Sequence, residues 1–222
     1  METRIAFVTI GQSPREDIVP EIAQLLDPAV RILERGALDG LSNSEIQMLK
    51  PDQGDFLLVT RLRDGSSAVV GKRKILPFLR KQIQSLANEH VRLIALLCTA
   101  EFPRLGPREI LLRPSELLYR SAVSLLKRGK LGVFVPLEPQ KEEAKSKWQE
   151  TGYDIVVGAL NPYQKLSDQG KALERMRTKD VDLVVLDCFG YSLKTALRIR
   201  HILGMPVLEP RSVLASAIRE SI

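Results

Sequence analysis

The stretch V-D-L-V-V-L-D-C-F-G-Y-S, Val181 to Ser192, decides the fold class. Leu183 to Leu186 is a short, unbroken apolar run, the pattern of a strand buried on both faces of a parallel sheet. It stops at Asp187 and Cys188, and Gly190 then lets the chain turn before a helical pattern begins near Ser192. In open α/β sheets, ligands bind at the carboxyl edge, where strands end and helices start. A carboxylate beside a thiol at that edge is therefore a candidate site. The competing reading makes Cys188 a small apolar filler, because free cysteine is among the most buried residue types. On this stretch alone the filler reading is slightly the stronger.

Working outward, Val91 to Leu97 reads as the second strongly buried strand, and it ends at Cys98-Thr99-Ala100-Glu101. Near the start, a strand over Arg4–Ile10 leads into Gly11-Gln12-Ser13-Pro14-Arg15-Glu16. Ser13 and Glu16 have capping-box spacing, and Pro14 falls at the first helical position, so a helix over Pro14–Leu26 is predicted. Its free N–H groups would suit a carboxylate or phosphate, with Ser13 and Arg15 as contacts. Otherwise Ser13 is only a cap and Arg15 only solvated. The loop is neither a G-x-G-x-x-G fingerprint nor a Walker loop, so no nucleotide is indicated.

Between these landmarks the pattern alternates. Arg31–Leu38 reads as a strand, Ser42 and Glu45 as the start of a short helix before Pro51, and Asp64-Gly65 as the turn of a hairpin between Phe56–Leu62 and Ser66–Val70. Lys72–Glu89 reads as a long helix with Ile75, Leu79, Ile83 and Leu86 on one face. Pro103–Pro114, rich in proline, reads as an inter-domain linker. Beyond it, helices over Pro114–Arg128, Pro139–Glu150, Ser167–Lys179, Leu193–Leu203 and Ser212–Ile222 alternate with strands at Val133–Val135, Tyr153–Ala159 and Pro206–Leu208. Trp148 reads as a packing anchor. Such alternation argues a parallel α/β architecture.

The order strand, helix, strand, helix, strand-Cys occurs twice, with the two cysteines 90 residues apart at Cys98 and Cys188. Two similar halves are therefore expected, residues 1–112 with a returning 204–222, and residues 113–203. Each would place one thiol at a lip of the cleft between them. Two thiols on opposite faces of a carbon acid can serve as general base and general acid, provided one has a pKa below about 8.5.

Composition narrows the partners. The chain has 222 residues, 27% of them charged, and a formal net charge of +6. Basic and acidic residues are interspersed, as in Lys141-Glu142-Glu143-Ala144-Lys145, which is the layout of solvated helix faces and argues against nucleic acid. A few arginines at a cleft suit a small anionic carboxylate instead. No apolar run approaches the ~20 residues of a membrane span, and Met1-Glu2-Thr3-Arg4 enters a strand without the layout of a signal peptide. A cytoplasmic protein is expected, with no membrane partner and with a homodimer left open. Two cysteines and two histidines, His90 and His201, offer neither a disulfide framework nor zinc spacing, so no metal is expected.

With L-L-C-T-A at Leu96–Ala100 and L-D-C-F-G-Y at Leu186–Tyr191, the chain resembles the AroM family, which is grouped with the aspartate/glutamate/hydantoin racemase superfamily. The resemblance runs the whole length, through T-I-G-Q-S-P-R near the start, L-R-P-S-E-L-L, G-V-F-V-P-L-E and P-V-L-E-P-R-S-V-L-A. It implies two pseudo-symmetric parallel-sheet α/β domains with a ligand cleft between them, the last helix returning to the first domain. It also implies a cofactor-independent enzyme of racemase, isomerase or decarboxylase type acting on a small carboxylate. Cys98 and Cys188 would be acid and base, with Asp187 orienting or tuning. Gly11, Gln12, Ser13, Arg15, Thr99, Ala100, Gly190 and Tyr191 would hold the substrate. Racemases of the superfamily read C-N-T at the first cysteine, where this chain has Cys98-Thr99-Ala100. The alternative is thus a non-catalytic metabolite-binding protein linked to aromatic amino-acid metabolism.

Overall fold

Apolar runs that alternate with amphipathic segments bury themselves as parallel strands flanked by helices, and the computed structural model shows where each falls. It describes residues 3–89, 91, 93–106 and 110–222. His90 and residues 107–109 of the expected linker lie outside these. In chain order the elements begin with β1 (Arg4–Thr9), α1 (Val19–Ala23), β2 (Arg31–Gly36), α2 (Asn43–Met48), β3 (Leu57–Arg61) and β4 (Ser67–Gly71). Then follow α3 (Lys72–Asn88), β5 (Leu93–Leu96), β6 (Ile110–Leu112), α4 (Pro114–Leu125) and β7 (Lys130–Val135). After a 3-10 turn at Glu138–Gln140 come α5 (Lys141–Gln149) and β8 (Asp154–Ala159). A second 3-10 turn at Leu166–Gln169 precedes α6 (Gly170–Arg177), β9 (Leu183–Leu186), α7 (Leu193–Leu203), β10 (Val207–Leu208) and α8 (Pro210–Arg219).

The chain divides into two compact units, Met1–Pro114 with Ala215–Ile222, and Ser115–Leu214. Each unit has its own four-stranded sheet, β2-β1-β5-β6 in the first and β10-β9-β7-β8 in the second. All pairings within both sheets are parallel. Counted within its own unit, each sheet has the order second, first, third, fourth. The echo in the sequence is therefore a shared topology, with β1, β2, β5 and β6 corresponding to β7, β8, β9 and β10. The first unit carries one addition, the antiparallel hairpin β3–β4.

The helices form where their caps and stripes allow. Ser42 and Glu45 make both bonds of a capping box at the head of α2. On α3, Ile75, Leu79, Ile83 and Leu86 are all buried, and they pack with Ala6, Val8 and Ile94 of the sheet. Ser192 caps α7, and Gly204, with φ +69°, closes it in the left-handed conformation.

Three expectations need correction. The helix expected over Pro14–Leu26 is only the single turn and a half of α1, starting at Val19 without a side-chain cap. Ser13 does not cap it, because the Ser13 N–H and hydroxyl both donate to the Asp39 carboxylate, at 2.8 and 2.6 Å. The expected linker is not a plain linker. Phe102 and Leu105 are buried in the first core, and Ile110–Leu112 pairs with β5 as the fourth strand. The return of the chain also comes later than residue 204, since Val207 and Leu208 pair with Val184 and Val185 of β9. The helix α8 starts in the second unit and belongs to the first from Ala215 onward.

Because Leu79 is fully buried beneath the first sheet, Leu79→Ala should lower unfolding free energy by about 2–5 kcal/mol. Urea denaturation of the purified variant measures this.

Candidate active site

In a parallel sheet of this order, the chain leaves the first and third strands in opposite directions, which opens a crevice above their carboxyl ends. That point lies between β1 and β5 in the first unit and between β7 and β9 in the second. One further ladder bond extends each pair. Leu97 N–H donates to the Val8 carbonyl at 2.7 Å, and Asp187 N–H to the Phe134 carbonyl at 2.9 Å. Cys98 and Cys188 each follow immediately, so they occupy the same place in the two sheets.

Their side chains continue the period of two along the strand. Ile94, Leu96 and Cys98 share one core, and Val184, Leu186 and Cys188 pack together in another. Cys98 is buried, Cys188 is half-buried, and neither is in a disulfide. Thr99, also buried, and Ala100 follow the first thiol. Gly11 and Gln12, after β1, face the same crevice edge from the neighbouring strand. A Cβ on Gly11 would lie 2.3 Å from the Thr60 hydroxyl, so the loop is drawn tight against the hairpin β3–β4. The hairpin also holds it directly: Gln12 N–H donates to the Arg61 carbonyl, Arg63 N–H to Gln12 Oε1, and the Arg63 guanidinium to the Ser13 carbonyl.

Residues 13–18 are not helical, so the anion site expected there has no helix N-terminus behind it. The donors in question are already engaged by the protein's own carboxylates, Ser13 by Asp39 and the Arg15 N–H by Glu34 Oε2 at 2.7 Å. Arg15 is not a solvated residue either. It is 4% exposed, pairs with both oxygens of Asp17, and donates from Nη1 to the Thr9 hydroxyl at 2.8 Å. Burial pushes the Glu34 carboxyl above the usual glutamate range. The hydrogen bond and charge of Arg15 pull it down, and the nearby Asp39 and Asp17 charges add to the rise.

On the second sheet, period two sends Asp187 to the face opposite Cys188. Both of its oxygens accept from Lys147 Nζ, at 3.0 and 2.9 Å, and Oδ2 also accepts from Trp148 Nε1 at 2.8 Å. The two charged side chains are 9% and 6% exposed. Asp187 thus ties the end of β9 to α5 and sits away from the thiol's face. Trp148 is the packing anchor expected of it, with its indole N–H put to use.

Tyr191 is fully buried, and its hydroxyl donates to the Leu160 carbonyl at 2.5 Å. Burial first, then the Cys188 and Asp187 charges, push its phenol well above the ordinary value. It packs in the core of the second unit. Gly190 is needed for space, since a Cβ there would lie 2.6 Å from the ring of Pro162. Its N–H donates to Cys188 Sγ at 3.3 Å.

Sequence reasoning passed over the Pro136–Glu138 segment, which follows β7, the strand paired with β9. Its one ionisable side chain, Glu138, pairs with Lys141 at 3.1 Å, and its equivalence to the Gly11 loop is what marks it. Among the described residues, no cluster of three His, Cys, Asp or Glu side chains is placed to hold a metal ion, and no helix is long and apolar enough to cross a membrane.

The chain belongs to the AroM family, described as AroM protein, which it matches over residues 5–222. Its fold is shared with solved structures of low sequence identity. The maleate isomerase Iso from Pseudomonas putida S16 superposes with a TM-score of 0.64 at 13% identity, covering 99% of this chain and 92% of that one. Arylmalonate decarboxylase gives 0.62 at 12% identity, with 97% and 91% covered. Glutamate racemase from Aquifex pyrophilus gives 0.62 at 16%, with 99% and 84% covered. These likenesses define a racemase-like α/β fold. No curated protein matches the chain in sequence.

Removing one partner of a buried ion pair leaves the other charge uncompensated. Asp187→Ala should therefore cost about 3–5 kcal/mol of stability, whereas replacing Asp187 and Lys147 together with apolar residues of similar size should cost much less; chemical denaturation of both variants checks this.

Glu34 holds its proton more tightly in the folded state than in the unfolded chain. The folded state then binds more protons across the window, and stability falls as pH rises from the ordinary glutamate range through the raised folded value. In Glu34→Gln the amide oxygen still accepts the Arg15 N–H and this pH dependence is absent. Urea titrations from pH 4 to 8 should show the variant gaining on the native protein as pH rises; a constant difference would contradict the expectation.

Proposed function

We propose that this protein is an enzyme of racemase, isomerase or decarboxylase type that acts on a small carboxylate without a cofactor, using Cys98 and Cys188 as a proton-transfer pair. The observation that carries this is the equivalence of the two thiols, each one residue beyond the last ladder bond of the third strand in its sheet. A filler role would explain either cysteine alone, but not the same placement twice at the ligand-binding edge. Maleate, arylmalonate and glutamate, for which the similar folds are named, are small carboxylates, which supports that substrate class.

In the simplest form, one cysteine as thiolate takes the proton from the carbon beside the carboxylate. The electron pair left behind is delocalised into the carboxylate, and the other cysteine, as thiol, returns a proton to the opposite face. In a decarboxylation, loss of carbon dioxide creates the same electron pair and a thiol supplies the proton. In this reading the Thr99 hydroxyl and the backbone at Ala100 would hold the carboxylate, with Gly11, Gly190 and Tyr191 shaping the turns beside it. Gln12, Ser13 and Arg15 shape the loop above β1, and Asp187 holds the turn that carries Cys188.

A second reading, a metabolite-binding protein linked to aromatic amino-acid metabolism, is favoured by one feature: Thr99-Ala100 follows Cys98 where the racemases carry Asn-Thr. Proton exchange separates the two. A panel of small dicarboxylates, arylmalonates and amino acids incubated in deuterated water should show loss of an α-proton signal, or decarboxylation, for at least one member. Cys98→Ser and Cys188→Ser should each lower that rate by about 10²-fold or more with the fold intact. Saturable binding of a panel member with no exchange would favour the binding protein.

A further inference from the structure

Arg211 lies in the P-V-L-E-P-R-S stretch, where a charged side chain would ordinarily be solvated at the head of a surface helix. Instead it is 1% exposed. Glu209, also buried, accepts the Arg211 N–H at 2.6 Å and the Ser212 N–H at 2.7 Å, so it caps α8 and presents the guanidinium inward. From there Arg211 Nε and Nη2 both donate to the Phe189 carbonyl, at 3.0 and 2.7 Å. That carbonyl belongs to the same peptide group as the Gly190 N–H, which donates to Cys188 Sγ at 3.3 Å. The C=O and N–H of a trans peptide point in opposite directions. The cation therefore grips one edge of this group and the sulfur receives the other.

Resting on the reading of Cys188 as a proton-transfer residue, we propose that Arg211 is its positioning residue and acts through the Phe189–Gly190 peptide group. Two physical effects follow. The bidentate grip fixes the peptide plane, so the Gly190 N–H is aimed at sulfur before any substrate arrives. A carbonyl that accepts from a cation also polarises its own N–H, and hydrogen bonds linked in this way strengthen one another. The thiolate gains more from that donor than the thiol does, so the proton of Cys188 is released to solvent at lower pH.

The other charged and titratable groups around the turn do not replace this cation. Asp187 is a carboxylate on the opposite face and is paired with Lys147 of α5. Tyr191 and Tyr163, whose ring lies against Gly190, are phenols, and Glu209 is a carboxylate occupied in capping α8. Gly190 completes the device, because any Cβ there would strike Pro162 and tilt the peptide.

The test reads thiol chemistry and needs no turnover, so it can fail while the enzymatic reading survives, and the reverse. In a Cys98→Ser background, iodoacetamide alkylation of Cys188 is followed from pH 5 to 10. Arg211→Met should move the alkylation midpoint upward by about one pH unit, which is about a tenfold slower reaction at pH 7. Arg211→Lys, which keeps the charge but loses the fork, should fall between. A midpoint unmoved in a folded Arg211→Met variant overturns the proposal. Should that variant not fold, the decision passes to the Arg211 Nε–H resonance of the native protein. It should titrate with the midpoint of Cys188 and stay flat in Cys188→Ser; a flat resonance in the native protein overturns the proposal as well.

Discussion

Everything at the candidate site depends on one hydrogen bond made twice, the last rung between the third strand and the first. It runs from Leu97 to Val8 in one sheet and from Asp187 to Phe134 in the other. A parallel ladder forces neighbouring strands to end side by side, and the reversal of strand order there leaves no connection to cover their ends. The residue after that rung is released from the ladder but still obeys its alternation. In both sheets that residue is a cysteine, whose side chain packs with the core of its own unit.

Loops at such an edge have to be held, because their backbone groups have left the ladder and still require partners. The two units solve this differently. In the first, the β3–β4 hairpin and the Asp39 and Glu34 carboxylates occupy the donors and acceptors of residues 11 to 15. In the second, Asp187 is fastened from below by Lys147 and Trp148, and the Phe189 carbonyl is fastened by Arg211. Buried ionic groups of this kind are weak contributors to net stability but costly to break singly. Their effect is to fix the loop after β1 in the first unit and the Cys188 turn in the second.

The sequence by itself determined much of this. Apolar runs became β5 and β9, the stripe at Ile75, Leu79, Ile83 and Leu86 became the buried face of α3, the cap at Ser42 formed as spaced, and α7 began beside Ser192. Those are local properties, set by period, cap and turn within a few residues, and the repeated strand-Cys pattern followed from them. What only the tertiary structure decided depends on partners distant in the chain. Asp39 took the Ser13 hydroxyl from a helix that local spacing favoured, and β5 drew Ile110–Leu112 out of a proline-rich stretch into a strand. Period two turned Asp187 away from Cys188 although they are adjacent, and Leu160 claimed the Tyr191 hydroxyl for the core. Arg211, 23 residues beyond Cys188, reached its loop only because α8 packs where it does. Local spacing carries no record of such contacts, since a hydrogen bond across 20 or more residues exists only once the strands between them have closed the loop.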